Sequence, residues 1–505
     1  MRATARVRRV RDGKLELSGK WLQLRNPYAP VQVLDEEQIE RIHDASMTVL
    51  EDVGMRIQDA DARNYFAAAG FSVDHPTERV HFDREGILEL VAKAPSVASV
   101  RGRDPAKKLF MGEGQVAFTA VSGPPFVSDL DHGRRAGTFR DQENFLKMTH
   151  MTDVLQIEGG TSVEAQDLPA DTRYLDFYLS CCKLSDKPWK PLTIGRHRAR
   201  DAIDMAKIWY GEDEEGLAAN PVFFVNTNTN TPLVLDGEIA QGVIEYAKLG
   251  QVVCVTPFGL AGAMAPATVA GALVMQNAET LACCALTQIV RPRCPYIYGG
   301  FICNADMRTG SPAFGTPEFT LGAQATGQMA RRYGLPWRSG GALTSSQTCD
   351  AQAAYEAMMV MTPTFLAGTN YVMHAAGWLE AGLVACYEKF IVDIEILRML
   401  QVQFTPLEIN EESLAFGAHE EVGAGGHFLG AVHTLERFRE CFYRPLLSST
   451  ENFDRWTRNG GQDAAERAGK IWRDTLEQYE EPPIDDAVKA ELGEYVTRRR
   501  AELGD

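Results

Sequence analysis

Residues 295–341 read PYIYGGFICNADMRTGSPAFGTPEFTLGAQATGQMARRYGLPWRSGG, and residues 342–400 continue ALTSSQTCDAQAAYEAMMVMTPTFLAGTNYVMHAAGWLEAGLVACYEKFIVDIEILRML. Short β-prone runs, PYIYGGF (295–301), LPWRSGG (335–341) and NYVMHAAG (370–377), alternate here with long runs whose small and apolar residues recur at helical spacing. That alternation predicts consecutive βα units and a parallel sheet covered by helices. Polar residues follow each run: Asn304, Asp306 and Arg308, then Thr344 to Gln347, then His374. In β/α barrels the strand exits carry the active site, so these are the first candidates for chemistry.

Working outward, the same rhythm starts near residue 117. AFTAVS (117–122), VLQIEGG (154–160), KPLT (190–193), PVFFVNTNTNTP (221–232) and QVVCVTPFG (251–259) precede the three runs above. Helices are predicted over 141–152, 174–184, 197–210, 236–249 and 267–290. Eight strand candidates suit a closed (β/α)8 TIM barrel better than an open doubly wound sheet. No GxGxxG or P-loop pattern follows any of them, which lowers the nucleotide-binding alternative.

Four segments are expected: an N-terminal arm (1–33), a helical and β-rich extension (34–115), the barrel (116–404) and a C-terminal helical region (405–505). DEEQIERIHDASMTVLEDVG (35–54) has acids in its first turn and a terminal glycine, a well-marked helix. The last helix candidates, 451–479 and 484–502, are charged and amphipathic, suited to covering the barrel or to a subunit contact. The arm is basic (MRATARVRRVRDGK), whereas the whole chain carries 51 basic and 68 acidic residues, net −17. That balance argues against nucleic acid as a general partner. No uninterrupted apolar run approaches a membrane span and no secretory signal is evident, so a cytoplasmic protein is expected. Ten cysteines without CxxC or CxxH spacing suit reduced, buried thiols. Adjacent thiols such as Cys283–Cys284 diverge by about 100° on a helix, so no metal site is expected.

The chain resembles the trimethylamine methyltransferase superfamily. The resemblance is carried by GTPEFTLGAQATGQMARRYGLPWRSGG (315–341), SSQTCDAQAAYEA (345–357), MHAAGWLEAGLVACYEKFIVDIEILRML (373–400) and the tail from GGHFLGAVHTLERFRECFYRPLLS (425–448) onward. It implies a (β/α)8 barrel and transfer of a methyl group from an amine to a corrinoid protein. Trimethylamine methyltransferases carry pyrrolysine in the region that resembles TSSQTCD (344–350), where Gln347 or a neighbour stands here. The resemblance is therefore to the non-pyrrolysine branch, which implies a quaternary amine such as glycine betaine.

A quaternary nitrogen leaves as a neutral amine and needs no proton donor, so positioning and water exclusion carry the chemistry. Aromatic faces suit the cation and an arginine fork suits a carboxylate. The expected catalytic residues are Gln347 and His374. The expected substrate contacts are Arg308, Phe301, Tyr298, Trp189, Asn226 and Asp306, with Phe224, Trp337 and Asn228 behind them. Glu356 and Glu388 are expected to form structural ion pairs. No cofactor is expected to be permanently bound; a corrinoid (cobalamin) is expected on a cognate partner protein, and the chain is expected to be a homo-oligomer. The rival readings are a barrel lyase or hydrolase using Asp306 or His374, and a catalytically silent binder of a quaternary amine or a corrinoid protein.

Overall fold

The computed structural model describes residues 23–504; the basic segment of the N-terminal arm falls in residues 1–22 and lies outside them. The centre is a curled seven-stranded sheet of mixed α/β type: β1 (Leu24–Arg25), β2 (Gln115–Phe118), β3 (Phe224–Thr227), β4 (Val252–Val255), β5 (Tyr296–Gly299), β6 (Trp337–Gly340) and β7 (Tyr371–Met373). Its order is β1-β2-β7-β6-β5-β4-β3. Only β1 is antiparallel; the other neighbours are parallel, in registers such as Val253 with Tyr296, Arg338 with Tyr371 and Tyr371 with Ala117.

The expected ring of eight laddered strands is not formed. Between β2 and β3, where runs 154–160 and 190–193 were expected to be strands, there are only isolated parallel bridges, Thr119 with Ile157 and Trp189 with Phe223. One backbone bond, Glu158 N–H to Pro188 O at 3.2 Å, links the two segments. Composition explains the interruption. Pro188 and Pro191 have no N–H to give a ladder. The Glu158 carboxylate takes the N–H groups of Gly160 (2.7 Å) and Lys190 instead of a neighbouring strand.

Alternation along the strands sorts their side chains into two layers. Ala117, Ile157, Phe224, Val252, Cys254, Ile297, Tyr371 and Met373 face inward and form one cluster with Ala98, Val100, Leu109 and Met111. Those last four belong to the hairpin Ala98–Arg101/Lys108–Met111, which closes the N-terminal end of the sheet. Arg101 N–H bonds Pro221 O, and Arg103 N–H bonds Asp186 O, both ahead of their sheet segments. A Cβ at Gly102 would stand 2.3 Å from Asp186 O, so only glycine lets the hairpin seat there.

Outward-facing side chains pack against the helices. Trp189 lies among Tyr178, Trp209 and Phe223 at centroid distances of 5.1–6.2 Å. Helix Val269–Val290 is long and apolar enough to cross a membrane by length and composition, contrary to the sequence reading, yet 78% of its apolar window is buried inside the fold. The helix expected from residue 35 starts at Glu36 behind an Asp35–Gln38 capping box and ends at Gly54. The 451–479 helix is interrupted by Gly460 and Gly461, both at positive φ, into Phe453–Arg458 and Ala464–Glu477. Helix Ala464–Glu477 packs on helix Tyr387–Gln403, and Asp486–Leu503 packs on Arg173–Leu184 and Arg196–Tyr210, so the tail clasps the central unit.

Candidate active site

With the N-terminal end plugged, the opposite end of the sheet is where strand exits converge. His374, directly after β7, holds a left-handed backbone (φ 59°), uncommon for a side chain larger than glycine. Its carbonyl takes the Ala342 N–H at 2.9 Å, and a Cβ on Gly341 would lie 2.6 Å from Ala375 Cα. Glycine at 341 therefore lets the ends of β6 and β7 cross closely. His374 Nδ1 accepts the Ser122 N–H at 3.3 Å, which leaves the neutral ring's proton on Nε2. Burial, with Arg338 and Lys190 nearby, holds its pKa well below the usual histidine value.

Aromatic rings wall the same spot. His374 sits 4.4 Å from Trp378 and 6.2 Å from Phe301. Phe301 lies 5.5 Å from Phe258 and 5.4 Å from Phe314, and Phe314 lies 5.4 Å edge-on to Trp378. Lys190, Phe301, Met373, His374 and Trp378 each keep 5–7% exposure, while Ile297, Tyr371 and Val372 keep none. The mouth therefore admits solvent along this aromatic recess. The Trp378 indole N–H is buried there without a partner among the described residues.

A buried polar group stands at the same strand exits. Burial raises the Glu158 carboxyl to about 7, against its bonds to the Lys190 and Gly160 N–H groups. The Lys190 ammonium donates to Ser122 Oγ at 3.2 Å; burial lowers its pKa, and Glu158 opposes that shift. Arg338, on β6, is 2% exposed. It donates from Nη1 to Gly300 O at 3.1 Å and lies 4.6 Å over the Phe301 ring. Asn226, at the end of β3, meets Thr256 Oγ1 at 3.5 Å.

The mouth thus gathers His374, Phe301 and Asn226 from the expected set. Others are elsewhere. Tyr298, expected to contact substrate, points outward, donating to Asn277 Oδ1 at 2.8 Å and stacking on Tyr333. Trp189, also expected there, belongs to the outer aromatic layer described above. Trp337 likewise faces the helices and donates to Gly368 O at 2.9 Å, and Phe224 is in the apolar interior. Gln347 is exposed and donates to its own loop at Ser345 O. Asp306 and Arg308 are exposed in one turn, where the Asp306 carboxylate accepts the Arg308 N–H at 2.7 Å. Glu356 and Glu388 are structural but hydrogen-bonded: Glu356 takes Thr344 Oγ1 and Ser345 N–H, and Glu388 takes Trp472 Nε1 at 2.8 Å. Arg338, Glu158, Lys190, Trp378 and Phe314 were not singled out from the sequence. For Arg338 a signal existed: with Trp337 outward, strand alternation turns residue 338 inward.

An aromatic recess beside buried cations, at the carboxyl ends of parallel strands, defines an α/β enzyme that takes a small organic ligand. The chain belongs to the trimethylamine methyltransferase (MTTB) family, whose description matches residues 2–504, and it is a methyltransferase. It is 36% identical over 473 residues to the glycine betaine methyltransferase of Desulfitobacterium hafniense (strain Y51), covering 94% of this chain and 98% of the relative. It is 27% identical over 478 residues to trimethylamine methyltransferase MttB of D. hafniense (strain DSM 10664 / DCB-2), covering 93% and 94%. The corresponding protein of Methanosarcina barkeri is 27% identical over 460 residues, covering 89% of this chain and 91% of the relative. Among solved structures, the hydroxylamine complex of MtmB aligns with a TM-score of 0.44 at 10% identity, over 88% of this chain and 93% of that one.

Proposed function

We propose that this methyltransferase moves a methyl group from a quaternary amine, glycine betaine or a related betaine, to the reduced cobalt of a corrinoid carried by a partner protein. The observation that carries this reading is the aromatic recess of Phe258, Phe301, Phe314 and Trp378 at the strand exits. π-Faces attract a trimethylammonium group without the tight ion pair a carboxylate would impose. In the transfer the nitrogen–methyl bond breaks, the nitrogen keeps the bonding pair and leaves as a neutral tertiary amine, and the methyl passes to the cobalt nucleophile. His374 stays neutral, so it adds no charge opposing the cation, and with Phe301 and Asn226 it orients the substrate. Gln347, Asp306 and Arg308 are left to the outer rim, from which a role would require loop closure.

The corrinoid would approach through loops that present exposed Ile194, Met307 and Leu383, apolar surface suited to a large flat group. We read the central unit as a (β/α)8 barrel whose ring passes through 156–158 and 188–190, with the segment boundaries at 34, 116 and 405. Leu407, Leu429 and Phe453 are 83%, 82% and 74% exposed in the C-terminal region, which supports self-association through it.

The test is to mix the protein with a Co(I)-corrinoid protein and glycine betaine and follow the visible spectrum. Loss of the Co(I) bands only when this protein and the quaternary amine are both present is the expected result. No change with glycine betaine, proline betaine, carnitine or choline would overturn the reading.

A further inference from the structure

Four cations are buried among the described residues: Lys187, Lys190, Arg338 and Lys389. Lys389 is ion-paired with Asp393, Lys190 lies against Glu158, and Lys187 donates to three backbone carbonyls. Arg338 differs. Among the described residues its guanidinium makes one hydrogen bond, to a neutral carbonyl, Gly300 O, and its Nε is buried without a partner. No carboxylate of the described residues comes within ion-pair distance of it. A guanidinium has five donors in a planar fork, and burying it with most of them idle is unfavourable unless an anion arrives.

Its location says which anion. The guanidinium lies over one side of Phe301, and the rings of Phe258 and Phe314 border that same phenyl group. An anion at Arg338 and an organic cation in the recess are separated by about one ring. We propose that Arg338 is the receptor for a carboxylate on the substrate, so that this mouth selects a short zwitterion over a simple cation. This rests on, and narrows, the quaternary-amine reading. It also moves the carboxylate fork from Arg308, on the exposed turn, to a residue inside the sheet.

The experiment compares glycine betaine with choline, which keeps the trimethylammonium group but replaces the carboxylate with a hydroxymethyl group. Calorimetric binding is measured on the full-length wild type, Arg338→Met and Arg338→Lys, with thermal unfolding of each unliganded protein. Wild type is expected to favour glycine betaine over choline by about 100-fold. Arg338→Met is expected to erase that preference while melting no lower than wild type, because an unpaired buried cation has been removed. Arg338→Lys, which keeps the charge but not the fork, is expected to restore part of it. An unchanged ratio in Arg338→Met, or, should that variant not fold, in Arg338→Lys, overturns the proposal. If wild type binds none of glycine betaine, choline, proline betaine and carnitine, the quaternary-amine reading fails, and acetate then decides the fate of Arg338. Protection of wild type but not of Arg338→Met by acetate upholds an anion receptor, and no protection of wild type overturns it.

Discussion

The two ends of the central sheet are built from the same strands and opposite materials. At the N-terminal end, Ala98, Val100, Leu109 and Met111 of the hairpin meet Ala117, Ile157 and Val252, all 0–1% exposed and all apolar. At the C-terminal end, a few residues further along the strands, the mouth holds Lys190, Arg338 and His374, 2–7% exposed and charged or polar. One end returns free energy by burial; the other costs free energy, because charges in a low-dielectric interior are disfavoured unless paired. A fold keeps such an end when the charges serve a ligand, and it can keep it because the plugged end supplies the stability.

That contrast can be broken. Leu109→Asp places an unpaired charge in the plug and is expected to prevent folding, checked by circular dichroism and soluble yield. Leu109→Ala is expected to lower stability by about 2–5 kcal/mol in denaturant unfolding while the folded fraction keeps normal affinity for glycine betaine. A similar loss of affinity would mean that the two ends are not separable.

At the mouth the signs reverse. Glu158 has its folded pKa raised to about 7 from an ordinary 4.5. Its contribution to stability is therefore full below about pH 4.5 and is lost as pH rises through 7, a change of about 3 kcal/mol. Glu158→Gln is expected to remove this slope, so the wild-type-minus-variant difference in urea unfolding should fall across that range. A flat difference would sink the idea that burial governs this carboxyl. Smaller still, Trp378→Leu is expected to weaken quaternary-amine binding about tenfold without changing the glycine betaine to choline ratio, since a cation–π contact acts on the head group both ligands share.

Much of this was legible in one dimension. All eight runs expected to be strands lie at the sheet or its two bridging segments, because hydrophobic period and glycine placement act locally. His374, Phe301 and Asn226 stand at the strand exits where the sequence put them, because strand exits can be counted along the chain. Tyr298 and Trp189 were misplaced for a definable reason: an error of one residue in strand parity carries a side chain through the sheet from the mouth to the helix layer. The same parity concealed Arg338, next to the conspicuous Trp337. Gln347, Asp306 and Arg308 were drawn from loops, whose direction local sequence does not set.

The sequence alone determined the βα order, the helices and, through the motifs of 315–400, the family. Which polar residues share a recess was decided only in three dimensions. Arg338, Phe301, His374 and Lys190 come from four different units, and their proximity depends on the curl of the sheet and the crossing permitted by Gly341. Curl and crossing arise from packing between units far apart in the chain, which no single unit encodes.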